Sequence, residues 1–251
     1  MITGRTDYSK YTMTTWERVF YTVAAAAVIY SVAFIFYRNS IISAILMPLA
    51  FLYPRIKTMD IIKKRKKELN LQIKDMLYSL SSSLTSGKSI ESAFRDVLRD
   101  LAVLYPDSGT FIIMEMEYIV RRLEMNETVE SVLTDFAKRA CLEDMDNFVD
   151  VFTICKRTGG NIIEVIKNTS AIINDRIEVC QEIDTMLAER KFEQKVLNVV
   201  PLGMIVLLSV SAEDYMKPVF DTAAGKLVMS ISIALLAAAY YISKRITDFK
   251  I

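Results

Sequence analysis

Two hydrophobic patterns alternate along this chain. Four stretches are apolar on every side. The segments between them place apolar residues only every third or fourth position. Val19–Tyr37, VFYTVAAAAVIYSVAFIFY, runs without a charge. A helix of that length reaches across a hydrocarbon core of about 30 Å. Asn39–Tyr53, NSIISAILMPLAFLY, is shorter and carries Pro48. With a tight turn at Arg38-Asn39-Ser40 it predicts the second arm of a membrane hairpin, marginal in length. Val196–Ala212 and Leu227–Ser243 form a second pair, with Pro201 early in the third span, where a membrane helix tolerates it. A secretory signal peptide competes for the first stretch. It starts late for one, and no small-residue cleavage site precedes the next apolar run.

Between the pairs the period is helical throughout. Ile73, Met76, Leu77, Leu80 and Leu84 share one face, and Ile90, Ala93, Phe94, Val97, Leu98 and Leu101 another. Val129, Val132, Leu133, Phe136, Ala137 and Ala140 form a third stripe, and Met145, Phe148, Val149 and Phe152 a fourth. Ile163, Ile166, Ser170, Ile173, Ile177 and Cys180 continue the rhythm, and no run alternates as a strand would. The expected fold is all-α, a polytopic membrane protein with two transmembrane hairpins flanking a helical bundle. Its segments are an N-terminal stretch 1–18, a hairpin 19–54, a helical domain 55–195, a hairpin 196–243 and a tail 244–251.

Charge orients this arrangement. The chain balances 31 basic against 30 acidic residues, so net charge says little, but position does. Arg55, Lys57, Lys63, Lys64, Arg65, Lys66 and Lys67 follow the second span, and Lys244, Arg245 and Lys250 follow the fourth. The opposite connections hold only Arg38, Lys217 and Lys226. The excess of positives predicts that both termini and the middle of the chain are cytoplasmic, with 213–225 on the far side. Trp16, Tyr21, Tyr53, Tyr240 and Tyr241 lie near span ends, where aromatic belts form. The run Lys63–Lys67 sits beside a span, which favours anionic lipid over nucleic acid as its partner.

Composition narrows the chemistry. Seven glycines and five prolines leave little room for loops, and the chain has no histidine, the commonest general base and metal ligand. Cys141, Cys155 and Cys180 are scattered and odd in number, which argues against a disulfide framework and suits a reducing compartment. Each falls on or near an apolar stripe and reads as a small core residue. The acidic group Glu143, Asp144, Asp146 and Asp150 lacks the glycine turn of a calcium loop and keeps helical period, so it reads as a solvated face, with docking of a basic partner as the second reading. The four spans contain no Asp, Glu, Lys, Arg or His. That counts against an intramembrane enzyme and against an ion or proton pathway. A pore formed by oligomerisation remains as the alternative.

Gly87-Lys88-Ser89 matches the end of a phosphate-binding loop, but the first glycine of that pattern is Ser82 here, and a helical face rather than a strand precedes it. The stretch reads instead as a helix ending near Ser86, with Gly87 as its left-handed cap and Ser89 capping the next helix. The pattern recurs. GKSIESAF (87–94), NETVESVL (126–133) and GNIIEVIK (160–167) each open on a residue tolerant of positive φ, Gly87, Asn126 and Gly160. Each then carries an aliphatic residue followed by glutamate: Ile90-Glu91, Val129-Glu130 and Ile163-Glu164. Those glutamates favour the positive end of a helix dipole. At Thr158-Gly159-Gly160-Asn161 a reversal is expected, with at least one glycine at positive φ.

The ordered set SGKSIESAF, TGGNIIEVI, a long helix and a proline-bearing span resembles the type II secretion system F family. Gly159 and Gly160, Arg176, an Ala188-Glu189 bend and Pro201, together with the two-plus-two spans, resemble its tight-adherence pilus branch. One departure is that Lys156, Arg157 and Thr158 replace the glutamate of a G-E-x-x-G pattern, so no acidic role is carried over. The resemblance implies a non-catalytic platform in the plasma (inner) membrane, without cofactors. It would work with a cytoplasmic hexameric secretion ATPase, a paralogous platform protein and pilin-like subunits, as a homo- or hetero-oligomer. Gly87, Ser89, Asn126, Gly159, Gly160, Asn161 and Pro201 would be corner and coupling residues. Glu91, Glu130, Glu164, Arg176 and Glu189 would be partner contacts.

Overall fold

The structure, a computed structural model, describes residues 7–247. These form helices without a strand among them, joined by short turns. The elements are α1 Thr15–Tyr37, α2 Ser40–Leu46, a 3₁₀ segment Met47–Leu52, α3 Tyr53–Thr85, α4 Ile90–Leu104 and α5 Phe111–Glu124. There follow α6 Val129–Ala140, α7 Glu143–Thr158, α8 Ile162–Ser211, α9 Glu213–Asp221 and α10 Ala223–Thr247. They divide into two compact units. One holds the chain up to Thr12 with Thr58–Val179, and the other holds Met13–Lys57 with the chain from Cys180 on.

The first unit is a helical bundle built from the stripes read above and from a further one on α5. Leu69, Ile73, Met76, Leu77 and Leu80 of α3 meet Phe94 and Val97 of α4, Ile112, Met116 and Ile119 of α5, Phe136 of α6, Phe148 and Phe152 of α7, and Ile166 and Ile173 of α8. Burying a side chain of this size stabilises by roughly 1.5–3 kcal/mol. Ile163 departs from its stripe. It is exposed, and the half-buried Ile162 packs on the core in its place. Cys155 is buried as expected. Cys141 is exposed, because it ends α6 in the left-handed conformation with φ 49°. The buried Gln72 is paired: its Oε1 accepts the Ile112 amide at 3.1 Å, satisfying an orphan donor at the start of α5, whereas Asn70 Oδ1 is buried without a hydrogen-bond partner among the described residues.

The second unit contains the apolar stretches. Four helical stretches are long and apolar enough to cross a membrane: Thr15–Tyr37, Ser40–Thr85, Ile162–Ser211 and Ala223–Ser243. Their outward residues, among them Phe20, Val23, Leu207, Val210, Leu227 and Leu235, are exposed over a continuous length. Such a surface is stable against lipid rather than water. Phe36, Met216, Phe220 and Met229 form the packed centre. The turn between α1 and α2 falls where the sequence places it. Arg38 is left-handed at φ 45°, and the Asn39 side chain caps α2 by accepting the Ile41 amide at 2.9 Å. The second arm is not one regular helix. Pro48 stands in a 3₁₀ segment, which rises about 2.0 Å per residue against about 1.5 Å in an α-helix and so lengthens a short arm.

Candidate functional site

Three corners of the bundle share one backbone device. Gly87 (φ 85°), Asn126 (φ 62°) and Gly159 (φ 73°) are left-handed. Two residues after each comes the N-cap. The Ser89 hydroxyl accepts the Ser92 amide at 3.3 Å, the Thr128 hydroxyl accepts the Ser131 amide at 3.4 Å, and the Asn161 Oδ1 accepts the Glu164 amide at 3.3 Å. The third corner is one residue earlier than the sequence comparison places it. One glycine of the pair is left-handed, as expected, but it is Gly159 rather than the Gly160 aligned with Gly87, and the helix begins at Ile162, next to Asn161 where its start is expected. Asn161 is a strong cap and Ile162 cannot cap at all, so the helix starts directly after the asparagine.

Gly160 has a different task. Its φ is ordinary, but a Cβ there would lie 2.8 Å from Cys155 Sγ. The Gly160 amide also donates to the Cys155 carbonyl at 2.9 Å, closing the end of α7. The two adjacent glycines are therefore required for separate reasons, one conformational and one steric.

Of the expected partner contacts, several are engaged within the bundle. Arg176 donates to Asp144 at 2.5 Å and lies 3.8 Å from Glu143, tying α8 to the start of α7. Glu130 accepts from Lys156 Nζ at 2.8 Å. Burial pushes the Glu130 carboxyl up, but the Lys156 bond and charge outweigh it and hold it below the usual carboxylate range. Glu164 accepts from the Asn161 side-chain Nδ2 at 3.4 Å, a side-chain contact across the first turn of α8. Glu91 and Glu189 are exposed. Lys88 pairs with Asp96 rather than standing open as a phosphate ligand would.

The basic run is split. Lys63, Lys64 and Lys67 are exposed, whereas Arg65 and Lys66 turn into the bundle. The Arg65 guanidinium covers the Tyr11 ring at 4.3 Å, and Lys66 Nζ donates to the Cys141 carbonyl at 2.9 Å, at the negative end of α6. Only part of the run is left for lipid.

The sequence reading missed a buried ionic network. Glu115 of α5 accepts two bonds from Arg139 of α6, at 2.5 and 2.7 Å, with both side chains nearly buried. Arg139 also reaches Asp135 at 3.2 Å, and Arg122 reaches the same carboxylate at 3.1 Å. The Tyr118 ring lies 5.3 Å from both guanidinium groups. Tyr8 completes the network from the far N-terminal side. It is 2 % exposed, its hydroxyl donates to Glu115 at 2.9 Å, and its ring stands edge-on to Phe111. Burial and the neighbouring Glu115 charge push the Tyr8 phenol well above its usual range. One signal was available: Glu115 occupies a position between Ile112 and Ile119 that helical period assigns to the core.

α8 is the longest element. Its helix is unbroken from Ile162 to Ser211, through the expected bend at Ala188-Glu189 and through Pro201. Pro201 removes one hydrogen bond, leaving the Leu197 carbonyl without its intrahelical donor. Among the described residues no three His, Cys, Asp or Glu side chains converge as a metal site would require. No protein-family model, no curated protein and no solved structure matches this chain.

Proposed function

We propose that this chain is a plasma (inner) membrane platform of a tight-adherence-type pilus or a related secretion machine. It couples a cytoplasmic hexameric ATPase to the extraction of pilin-like subunits and their addition to a filament base. The observation that carries this reading is α8, 50 residues of helix with its first turns in the bundle core and its last turns in an apolar stretch. A displacement imposed on its first turns would be carried through the continuous helix to the apolar stretch.

The recurring corners support the same family reading, because they fall within the segments that carry the resemblance. The Tyr8 contact supports the hairpin topology. Tyr8 precedes the first apolar stretch, and Leu69 follows the second, yet both lie in one packed core. A two-span hairpin between them returns the chain to the side it left and so accounts for their meeting. The basic residues after the second stretch assign that side to the cytoplasm. The role is mechanical rather than catalytic: the chain has no histidine, and its apolar stretches carry no Asp, Glu, Lys or Arg.

The test is deletion with complementation. Loss of the gene product removes filaments while pilin remains in the membrane, and the tagged full chain restores them and co-purifies with the ATPase and a paralogous platform protein. Filaments that persist in the deletion strain at normal number would end this reading.

A further inference from the structure

The bundle carries a groove that the platform reading leaves unused. It lies between α3 and α8, has a volume of about 880 Å³, and is open along one side. Lys74, Tyr78 and Ser82 line it from α3, and Lys167, Ser170 and Asn174 from α8. Two features mark it as a surface open to another chain. Neither lysine is in an ion pair among the described residues, while the groove's one carboxylate, Asp75, is already held by the Tyr105 hydroxyl at 2.6 Å. Tyr78 is 75 % exposed, a rigid ring of the kind that anchors protein interfaces.

A complementary surface lies on the same bundle. The outer stripe of α7 presents Asp146 and Asp150, both exposed, followed by Val151 and Ile154 at 44 % and 53 % exposure. The two aspartates are four residues apart, a spacing at which like charges repel. Neither is in an ion pair among the described residues, whereas Asp144 of the same helix is taken by Arg176. From Asp146 to Ile154 the stripe is about 12 Å long, and from Lys167 to Asn174 the α8 wall is about 10 Å. We propose that the groove is a self-association site, in which the outer stripe of α7 from a second copy of this chain seats between α3 and α8. Asp146 and Asp150 then meet Lys74 and Lys167, and Val151 and Ile154 cover Tyr78. Small side chains at Ser81, Ser82 and Ala171 let the incoming helix approach closely.

Charge reversal tests this in the full chain, purified in non-ionic detergent with two different tags. Lys74→Glu with Lys167→Glu reverses the groove, and Asp146→Lys with Asp150→Lys reverses the stripe. Each double variant should lose self-association by at least about tenfold, since like charges then face each other. Mixing the two variants should restore it, because in that pair both grooves again face an opposite stripe. Wild-type association should weaken as salt rises. The proposal is overturned if the wild type is monomeric, or if the reversed variants associate as it does. It is also overturned if both lose association and their mixture does not regain it, which would assign the groove to a different partner. Should a reversal lower helical content, Lys74→Gln with Lys167→Gln and Asp146→Asn with Asp150→Asn replace it. Those variants should associate more weakly and with less dependence on salt, and an unchanged salt dependence would equally refute the pairing.

Discussion

Alanine at Gly159 and alanine at Gly160 make two different demands on one corner, and they can be separated. At Gly159 a new Cβ meets nothing within 4 Å, so its cost is the left-handed backbone alone, about 1 kcal/mol. At Gly160 the backbone is permissive, but the new Cβ falls 2.8 Å from Cys155 Sγ. Non-bonded heavy atoms settle at about 3.5–4.0 Å, so close to 1 Å of overlap must be absorbed. Cys155 is only 8 % exposed, and its carbonyl holds the Gly160 amide at 2.9 Å, so neither partner moves freely. Overpacking of this kind costs about 1–3 kcal/mol. Replacing Cys155 by alanine removes the obstructing sulfur. Gly160→Ala should therefore cost about 2 kcal/mol in the wild type and near zero with Cys155→Ala, whereas Gly159→Ala should cost the same in both backgrounds. Thermal melting of the full chain in detergent reads this as a shift of about 2–4 °C per kcal/mol. Amide exchange in the first turn of α8 reports whether the loss is local. If Gly160→Ala is equally damaging with and without the sulfur, the steric account is wrong. If instead Gly159→Ala is the variant rescued by Cys155→Ala, the roles of the two glycines are reversed.

Alkaline pH should destabilise the bundle. Burial and Glu115 raise the Tyr8 phenol, and burial and Asp75 raise that of Tyr105, so the folded state keeps protons that the unfolded state releases above about pH 10. Stability is full below that pH and falls by up to about 1.4 kcal/mol per pH unit for Tyr8 above it. Tyr8→Phe should flatten this decline at the cost of about 1–2 kcal/mol at neutral pH, and a melting curve with unchanged pH dependence would contradict the burial argument. Ser108→Cys should resist an impermeant thiol reagent in intact cells while Thr222→Cys reacts, both in a cysteine-free background, and labelling at 108 would invert the topology. Lys88→Ala should leave assembly and melting nearly unchanged, because an exposed Lys88–Asp96 pair contributes little. Specific ATP binding by the purified protein, lost in that variant, would reinstate the phosphate-loop reading.

Period alone marks most helices of the bundle, because a stripe repeating at three and four residues buries the same side chains wherever the partners lie. Phe94, Phe136, Phe148 and Phe152 are buried for that reason. Register at the corners was less secure. Aligning the three glutamates placed the third corner one residue late, since a glutamate at the second or third helical position serves the dipole equally well. The capping residues, Ser89, Thr128 and Asn161, would have given the right register, because a side chain that accepts the amide three residues on is strongly preferred at that position. Cys141 was misjudged for a related reason. Period placed it beside the core, but the helix ends there, and the reversal of the backbone turns its side chain out.

The Tyr8–Glu115 contact spans 107 residues of sequence, and no local pattern encodes it. What the sequence does contain is half of it, a glutamate at a core position of α5, which requires a partner without naming one. The same reasoning explains why the basic run was only partly understood. Five adjacent cations on one helix cannot share an environment, because successive residues are turned by about 100°. Arg65 and Lys66 face Tyr11 and the end of α6, and Lys63, Lys64 and Lys67 remain outside. Treating the run as a single lipid-binding patch ignored that rotation. Counting its charges by helical face would have divided it in the same way.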